Sequence, residues 1–103
     1  MLFIETPIFT KRVRKGMTDE EYRGLQAALV ENPALGSDLG GGLYKVRWGV
    51  QERGKRGGVR VLYYWARAKD RILLLFLFAK NEQDDLTDEQ EKAFRRLARQ
   101  EFP

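Results

Sequence analysis

The segment that decides the fold is VRVLYYWARAKDRILLLFLFA, residues 59–79, in which two apolar runs flank a short polar connection. The first run, Val59–Arg67, is rich in β-branched and aromatic residues, which favour strands. The second run, Arg71–Ala79, is apolar at nearly every position, as expected for a central strand covered on both faces. Because only Ala68–Asp70 separates the runs, the two strands are predicted to be antiparallel neighbours.

Three helices are predicted from their start and stop signals. The first follows Thr6-Pro7, because threonine caps helices and proline suits the first helical position, and it ends at Gly16. The second begins at the capping box Thr18–Glu21 and stops at Asn32-Pro33. A second capping box, Thr87–Gln90, begins the third helix, which runs almost to the end of the sequence.

Two further strands complete the order of elements. Leu2–Glu5 is a short strand, and Leu43–Trp48 follows the flexible turn Gly40–Gly42 and alternates, with Lys45 and Arg47 on one face. The elements then read β-α-α-β-β-β-α in a single domain, residues 1–103. This order predicts an α+β fold in which helices pack on one face of a curved antiparallel sheet, while the other face stays open to a ligand.

The composition excludes several kinds of chemistry. The chain has no cysteine and no histidine, so disulfides and thiolate metal sites are excluded and acid–base chemistry must use lysine, tyrosine or a carboxylate. The start MLFIETPIF lacks the basic region of a signal peptide. The longest apolar run, Ile72–Ala79, is far shorter than the ~20 residues of a membrane-spanning helix. We expect a soluble, cytoplasmic protein without membrane contact, metal or other cofactor.

Positive charge is concentrated in the middle of the chain. Eight basic residues and one acidic residue lie between Leu43 and Lys69, whereas the net charge of the whole chain is +4. Cations beside aromatic side chains on an open sheet face suit single-stranded nucleic acid. The candidate residues are Lys45, Arg47, Arg60, Tyr64, Lys80 and Asn81 on or just after the strands, and Lys55 and Arg56 in the glycine-rich loop between residues 51 and 58.

A competing interpretation exists for each of these features. Lysine and arginine alternating on a strand are also typical of a solvated face that binds nothing. Aromatic side chains on a strand usually pack in the core, and since only one face is open we assign Tyr64 to that face and Tyr63 and Trp65 to the core. Asp84 and Asp85 belong to an acidic run that favours a helix N-terminus, and metal binding by them is a weak alternative.

Five segments together carry a family resemblance. KRGGVRVLYYW at 55–65, AKNE at 79–82 and DDLT at 84–87 are similar to sequences of the HigB-type branch of the RelE/ParE superfamily of toxins, as are FIETPIF at 3–9 and KVRW at 45–48. The resemblance follows the family's order over nearly the whole chain. It implies a RelE-like fold and a type II toxin that cleaves mRNA, typically in the ribosomal A site, and is paired with a cognate antitoxin protein.

The resemblance also implies roles for individual residues. Arg60 matches the strand arginine that contacts the scissile phosphate, and Lys45 and Arg47 match the basic pair on the preceding strand. Lys80 and Asn81 fall where the family has a polar or basic residue after the last core strand. Well-studied RelE members use a tyrosine near the C-terminus, which the end QEFP lacks. Tyr64 or Lys80 is therefore expected to protonate the leaving group.

The mechanism expected from these residues needs no metal. The ribose 2′-OH attacks the adjacent phosphorus and gives a 2′,3′-cyclic phosphate and a 5′-OH. Arg60 stays protonated and stabilises the charge of the transition state. A lysine surrounded by other cations loses its proton more readily, so Lys45 or Lys80 is expected to act as the base. The antitoxin would neutralise the toxin either by covering the cations with acidic side chains or by blocking entry to the ribosome.

Two alternatives remain open at the level of sequence. A ParE-type toxin would poison gyrase and leave RNA intact, since a shared fold does not determine function. A non-catalytic RNA- or ribosome-binding module would bind with a steep salt dependence without cleaving.

Overall fold

The computed structural model describes residues 1–51 and 58–103. Within this part of the chain there is no helix of the length and apolar character that crossing a membrane requires. The elements, in chain order, are β1 (Leu2–Glu5), α1 (Pro7–Gly16), α2 (Asp19–Glu31), β2 (Ser37–Gly40), β3 (Leu43–Trp48), β4 (Val59–Ala66), β5 (Arg71–Ala79) and α3 (Asp88–Glu101), with one 3₁₀ turn at Arg67–Lys69.

The predicted α+β class is confirmed, and the three helices begin at the predicted caps. Thr6 accepts a hydrogen bond from the Phe9 amide at the start of α1. Thr18 and Thr87 each form a complete capping box, so in both α2 and α3 the threonine side chain accepts a hydrogen bond from one free amide of the first turn. These caps are local in sequence, which is why pattern alone located them.

β2 was not predicted. Its sequence, SDLG, has no β-branched or aromatic residue, so nothing in its composition favours a strand. β2 pairs antiparallel with β3, and the chain turns between them at Gly40, Gly41 and Gly42, whose φ angles are 92°, 63° and 91°. The three glycines therefore form the turn of a β2–β3 hairpin, whereas the sequence predicted only a flexible turn before β3.

The sheet has the order β1-β5-β4-β3-β2, and it is mixed at the β1 edge, whose pairing was left open by the sequence. β1 runs parallel to β5, with Leu2 opposite Arg71 and Glu5 opposite Leu74. Parallel pairing needs a long connection, and all the other elements of the chain up to β5 lie between these two strands. β3, β4 and β5 are antiparallel as predicted.

A β-bulge in β5 bends the sheet. Leu62 lies opposite Phe76 and Tyr63 lies opposite Leu74, which leaves Leu75 as an extra residue. Leu75 and Phe76 consequently face the same side of the sheet, where both are buried. A bulge increases local twist and bend, so this one adds to the curvature of the sheet that carries the site described below.

Helices lie on both faces of the sheet, so the second face, predicted to stay open to a ligand, is open only in part. α1 and α2 pack on the first face, where the buried residues include Phe9 and Leu25. α3 packs on part of the second face through Phe94, Ala98 and the following Phe102. The sheet residues beneath α3 are Leu62, Tyr64, Leu73, Phe76 and Phe78, and we call this region the α3-covered half.

Candidate active site

The rest of the second face forms a cleft of about 630 Å³. Its lining contains four cations and two carboxylates, contributed by β2, β3, β4 and the loop before α3: Ser37, Lys45, Arg47, Arg60, Lys80, Asp84 and Asp85. The structure therefore brings Lys45, Arg60 and Lys80 together from three separate segments, and Arg47 lies beside them. We call this region the cleft half of the second face.

The strand register places the cations. Arg47 on β3 lies directly opposite Arg60 on β4, and Lys45 lies opposite Leu62 and, on its other side, opposite Ser37 of β2. Like charges directly opposite each other destabilise a sheet, and directly opposite side chains are about 5 Å apart at Cβ. The pairing of Arg47 with Arg60 therefore costs stability and concentrates positive charge on this face of the sheet.

Arg60 is buried yet incompletely hydrogen-bonded. Its relative exposure is 7%, and its Nη1 is the only buried side-chain nitrogen or oxygen in the described residues that lacks a hydrogen-bond partner. Arg95 provides a contrast, because its guanidinium donates to the carbonyls of Gly40 and Leu39. A buried donor without an acceptor is costly, so Arg60 presents a charged group ready to bind a ligand oxygen.

Lys45 is held in an ion pair with Asp85. Its Nζ lies 2.6 Å from Oδ1 of Asp85, and the amide of Leu86 donates to the same oxygen at 2.8 Å. The hydrogen bond from Lys45, that from Leu86 and the charges of Lys45 and Arg60 together hold the pKa of Asp85 below its usual value. The cleft therefore contains an ionised carboxylate among its cations.

Sequence reasoning missed Asp85 as a site residue. The acidic run before α3 was interpreted as negative charge that favours a helix N-terminus. The cation that pairs with Asp85 is Lys45, which lies 40 positions away in the sequence, so no local pattern connects the two residues. Two signals were available: Asp84 and Asp85 closely follow Lys80 at the end of β5, and both belong to the DDLT segment of the family resemblance.

Hydrogen bonds hold the loop that carries Lys80 and Asp85 against the end of β5 and the start of α3. The amide of Ala79 donates to Oε1 of Glu82 at 2.8 Å, and the amide of Glu82 donates back to the Ala79 carbonyl at 3.0 Å. Nε2 of Gln83 donates to the carbonyl of Asp85 at 2.8 Å and to Oε1 of Gln90 in α3 at 2.7 Å. These bonds position the loop residues at the cleft.

Two predicted site residues lie elsewhere. Asn81 lines a separate cleft of about 550 Å³ between α1 and the end of β5. Tyr64, expected on the open face beside the cations, is instead half-buried in the α3-covered half and stacks on Phe102 with ring centroids 5.8 Å apart. Alternation had placed Tyr64 on the correct face of β4, but it gave no information about α3 lying over that position.

The remaining predictions concern β4 and the loop after β3. Tyr63 is fully buried and Trp65 partly buried against the first face, as assigned from sequence. Lys55 and Arg56, predicted to bind substrate, lie outside the described residues.

The structure is that of a small α+β protein whose mixed sheet has helices on both faces and, on one of them, a cleft lined by four cations and two carboxylates. More specifically, the chain belongs to the RelE toxin family, because the family model described as "RelE toxin of RelE / RelB toxin-antitoxin system" matches residues 2–102. The fold is similar to that of a double mutant of E. coli toxin RelE in the free state, with a TM-score of 0.55 and 17% identity over 81% of this chain and 86% of that chain.

Proposed function

We propose that this protein is the toxin of a type II toxin–antitoxin pair, of the HigB-type branch, that cleaves mRNA on the ribosome in the cytoplasm and is neutralised by a cognate antitoxin. Membership of the RelE toxin family supports the toxin assignment. The observation that carries the chemical part of the proposal is the buried, unpartnered Nη1 of Arg60 in a cleft that it shares with Lys45 and Lys80.

A phosphodiester of RNA fits the chemistry of this cleft. It is a permanent anion whose oxygens accept hydrogen bonds from a guanidinium, and the charge-assisted bonds formed with arginine are the strong ones. The sugar supplies its own nucleophile, since the 2′-OH is adjacent to the phosphorus. The protein then has to hold the phosphate, stabilise the extra negative charge of the transition state and move two protons.

The surroundings of each cation indicate which part of the reaction it serves. Arg60, which is buried and remains charged, binds the phosphate and stabilises the transition state. Arg47, directly opposite on β3, adds a second positive charge on the same face. Lys80 is exposed at the cleft and forms no ion pair within the described part of the chain, so its ammonium is available to protonate the leaving 5′-oxygen.

Primer extension on mRNA after brief expression in a bacterial host tests the proposal. The wild type is expected to produce new cleavage ends inside translated messages. Arg60→Ala should reduce cleavage by about 10²- to 10³-fold, as expected when one group that stabilises transition-state charge is removed. Arg23→Ala, which removes an exposed arginine of α2 outside the cleft, is the matched control and should cleave like the wild type.

The same cultures separate the competing functions. Intact mRNA together with a fall in DNA supercoiling would contradict the nuclease assignment and indicate gyrase poisoning. Intact mRNA bound tightly to the toxin in a salt-dependent way would indicate a binding module instead. Unfolding curves of the purified variants establish that Arg60→Ala is folded.

A further inference from the structure

The cleft contains a proton acceptor that the expected lysine-based mechanism does not use. Of the seven residues that line it, four are cations and only Ser37, Asp84 and Asp85 have side-chain oxygens that accept hydrogen bonds. Asp85 is the one that contacts a cation, through the 2.6 Å hydrogen bond from Nζ of Lys45. Lys45 is thereby engaged as a donor, which is the opposite of what a general base does.

The two oxygens of Asp85 have different surroundings. Oδ1 accepts from both Nζ of Lys45 and the amide of Leu86. Oδ2 receives no hydrogen bond from any described residue, and the side chain is 62% exposed. One oxygen therefore fixes the orientation of the carboxylate, while the other is left at the cleft with free capacity to accept a proton.

We propose that Asp85 is the general base of the reaction and removes the proton of the ribose 2′-OH through Oδ2, with Lys45 and Arg60 binding the phosphate beside it. This inference rests on the proposed nuclease function and replaces Lys45 and Lys80 as candidate bases. The ion pair with Lys45 and the amide of Leu86 act together to orient the carboxylate for this transfer.

One bond to phosphorus forms and one breaks in this step, and two protons move. The 2′-O–H bond breaks as its proton passes to Oδ2 of Asp85, and the oxygen's electron pair forms the new bond to phosphorus. The bond from phosphorus to the 5′-oxygen breaks, and its electron pair leaves with that oxygen. The leaving oxygen takes a proton from the ammonium of Lys80, and solvent then returns the proton from Asp85 to Lys80.

The surrounding charges suit this role. Lys45 and Arg60 hold the pKa of Asp85 below its usual value, so the carboxylate is ionised throughout the neutral range and ready to accept a proton. When a phosphodiester binds, its negative charge offsets those cations, and the carboxylate becomes a stronger base at the moment when it is needed.

A different role for Asp85 would reverse the effect that removing its charge has on cleavage. If the carboxylate only occupied the position of the phosphate and competed with it, removing its charge would strengthen RNA binding and speed cleavage. The variant Asp85→Asn keeps the shape of the side chain and an oxygen that accepts from Leu86, but it loses the charge. Asp88→Asn makes the same change on an exposed residue of α3 outside the cleft and is the matched control.

The test is single-turnover cleavage of mRNA by the purified toxin on programmed ribosomes. Asp85→Asn is expected to slow cleavage by about 10²- to 10⁴-fold, with ribosome binding unchanged and Asp88→Asn indistinguishable from the wild type. Cleavage by Asp85→Asn at or above the wild-type rate would overturn the inference and leave the proposed function intact. A wild type that fails to cleave would overturn both.

The pH dependence of the wild type gives a second readout that needs no variant. The charged groups facing Asp85 across the cleft are those of Lys45, Arg47, Arg60, Lys80 and Asp84. A base that is already ionised gives a rate that stays flat between about pH 6 and pH 8. A base that is protonated at neutral pH, such as a lysine, gives a rate that rises about tenfold per pH unit, and that result would overturn the inference.

Discussion

The α3-covered half and the cleft half of the second face are built from the same strands, yet they differ completely in chemistry. On β4, Leu62 is buried under α3 whereas Arg60, two residues earlier on the same face, lies in the cleft. On β3, Leu43 is likewise buried in the α3-covered half, and Lys45, two residues later on the same face, lies in the cleft. A shift of one pleat along a strand therefore separates residues that hold the fold together from residues available to a ligand.

The two halves also contribute to stability with opposite signs. Under α3, aromatic rings pack on one another, as Phe76 does on Phe94 with centroids 5.0 Å apart. In the cleft, Arg60 is buried with an unpartnered donor, and Arg47 lies directly opposite it. Burial stabilises the first region, and unpaired charge destabilises the second.

The largest effect on stability is expected from Phe76→Ala. Phe76 is 5% exposed and packs against Phe78 and Phe94, so its removal leaves a cavity beneath α3. The free energy of unfolding should fall by about 3 to 5 kcal/mol in urea titrations. Leu97→Ala, which truncates an exposed apolar residue of α3, is the control and should change it by less than about 1 kcal/mol. Equal losses in the two variants would mean that α3 does not cover the sheet as described.

Substituting a cleft arginine should instead raise the free energy of unfolding. Arg60→Met replaces a buried, incompletely bonded guanidinium with an apolar side chain of similar length, so the free energy of unfolding should rise by about 1 to 2 kcal/mol while cleavage is lost. Arg95→Met, which removes a guanidinium that is bonded to the carbonyls of Leu39 and Gly40, should lower stability instead. Destabilisation by both variants would contradict the contrast between the two halves.

A smaller effect is expected from the ion pair in the cleft. Because the folded-state pKa of Asp85 is lowered, the ionised carboxylate stabilises the protein above its ordinary pKa of 3.8, and this contribution is lost as the pH falls through the folded-state value. Asp85→Asn should therefore be less stable than the wild type by under about 1 kcal/mol at neutral pH, since the carboxylate is exposed. The difference should vanish in strong acid, and a difference that grows there would contradict this assignment.

The smallest effect is expected from Tyr64→Phe. The ring of Tyr64 stacks on Phe102, and its hydroxyl forms no hydrogen bond with the described residues, so stability should change by less than about 0.5 kcal/mol. Cleavage should be unchanged, because the side chain lies outside the cleft. A substantial loss of cleavage with unchanged stability would mean that Tyr64 takes part in the reaction.

The sequence predicted those parts of the fold that depend on neighbouring residues. The capping boxes at Thr18 and Thr87 and the short connection between β4 and β5 are local patterns, and each located its element. β2 has no propensity signal of its own and forms because β3 offers it an edge. The parallel pairing of β1 with β5 depends on how the intervening chain packs, which no local pattern records.

The candidate site was predictable to a similar extent. Period-two alternation placed Lys45 and Arg47 on one face, and the family resemblance pointed to Arg60, all of which line the cleft. Alternation cannot say which part of a face a distant helix covers, so Tyr64 was misplaced. Nor can it reveal an ion pair between segments far apart in the chain, so Asp85 was overlooked.

The central claim is that the cleft cleaves RNA through the ribose 2′-OH, and the ends of the products test it most directly. Purified toxin would be mixed with ribosomes carrying an mRNA in the A site, and with the same mRNA carrying a 2′-deoxy sugar at the cleavage position. We expect a 2′,3′-cyclic phosphate and a 5′-hydroxyl from the first message and no cleavage of the second. Cleavage of the deoxy message, or products with a 5′-phosphate, would contradict it.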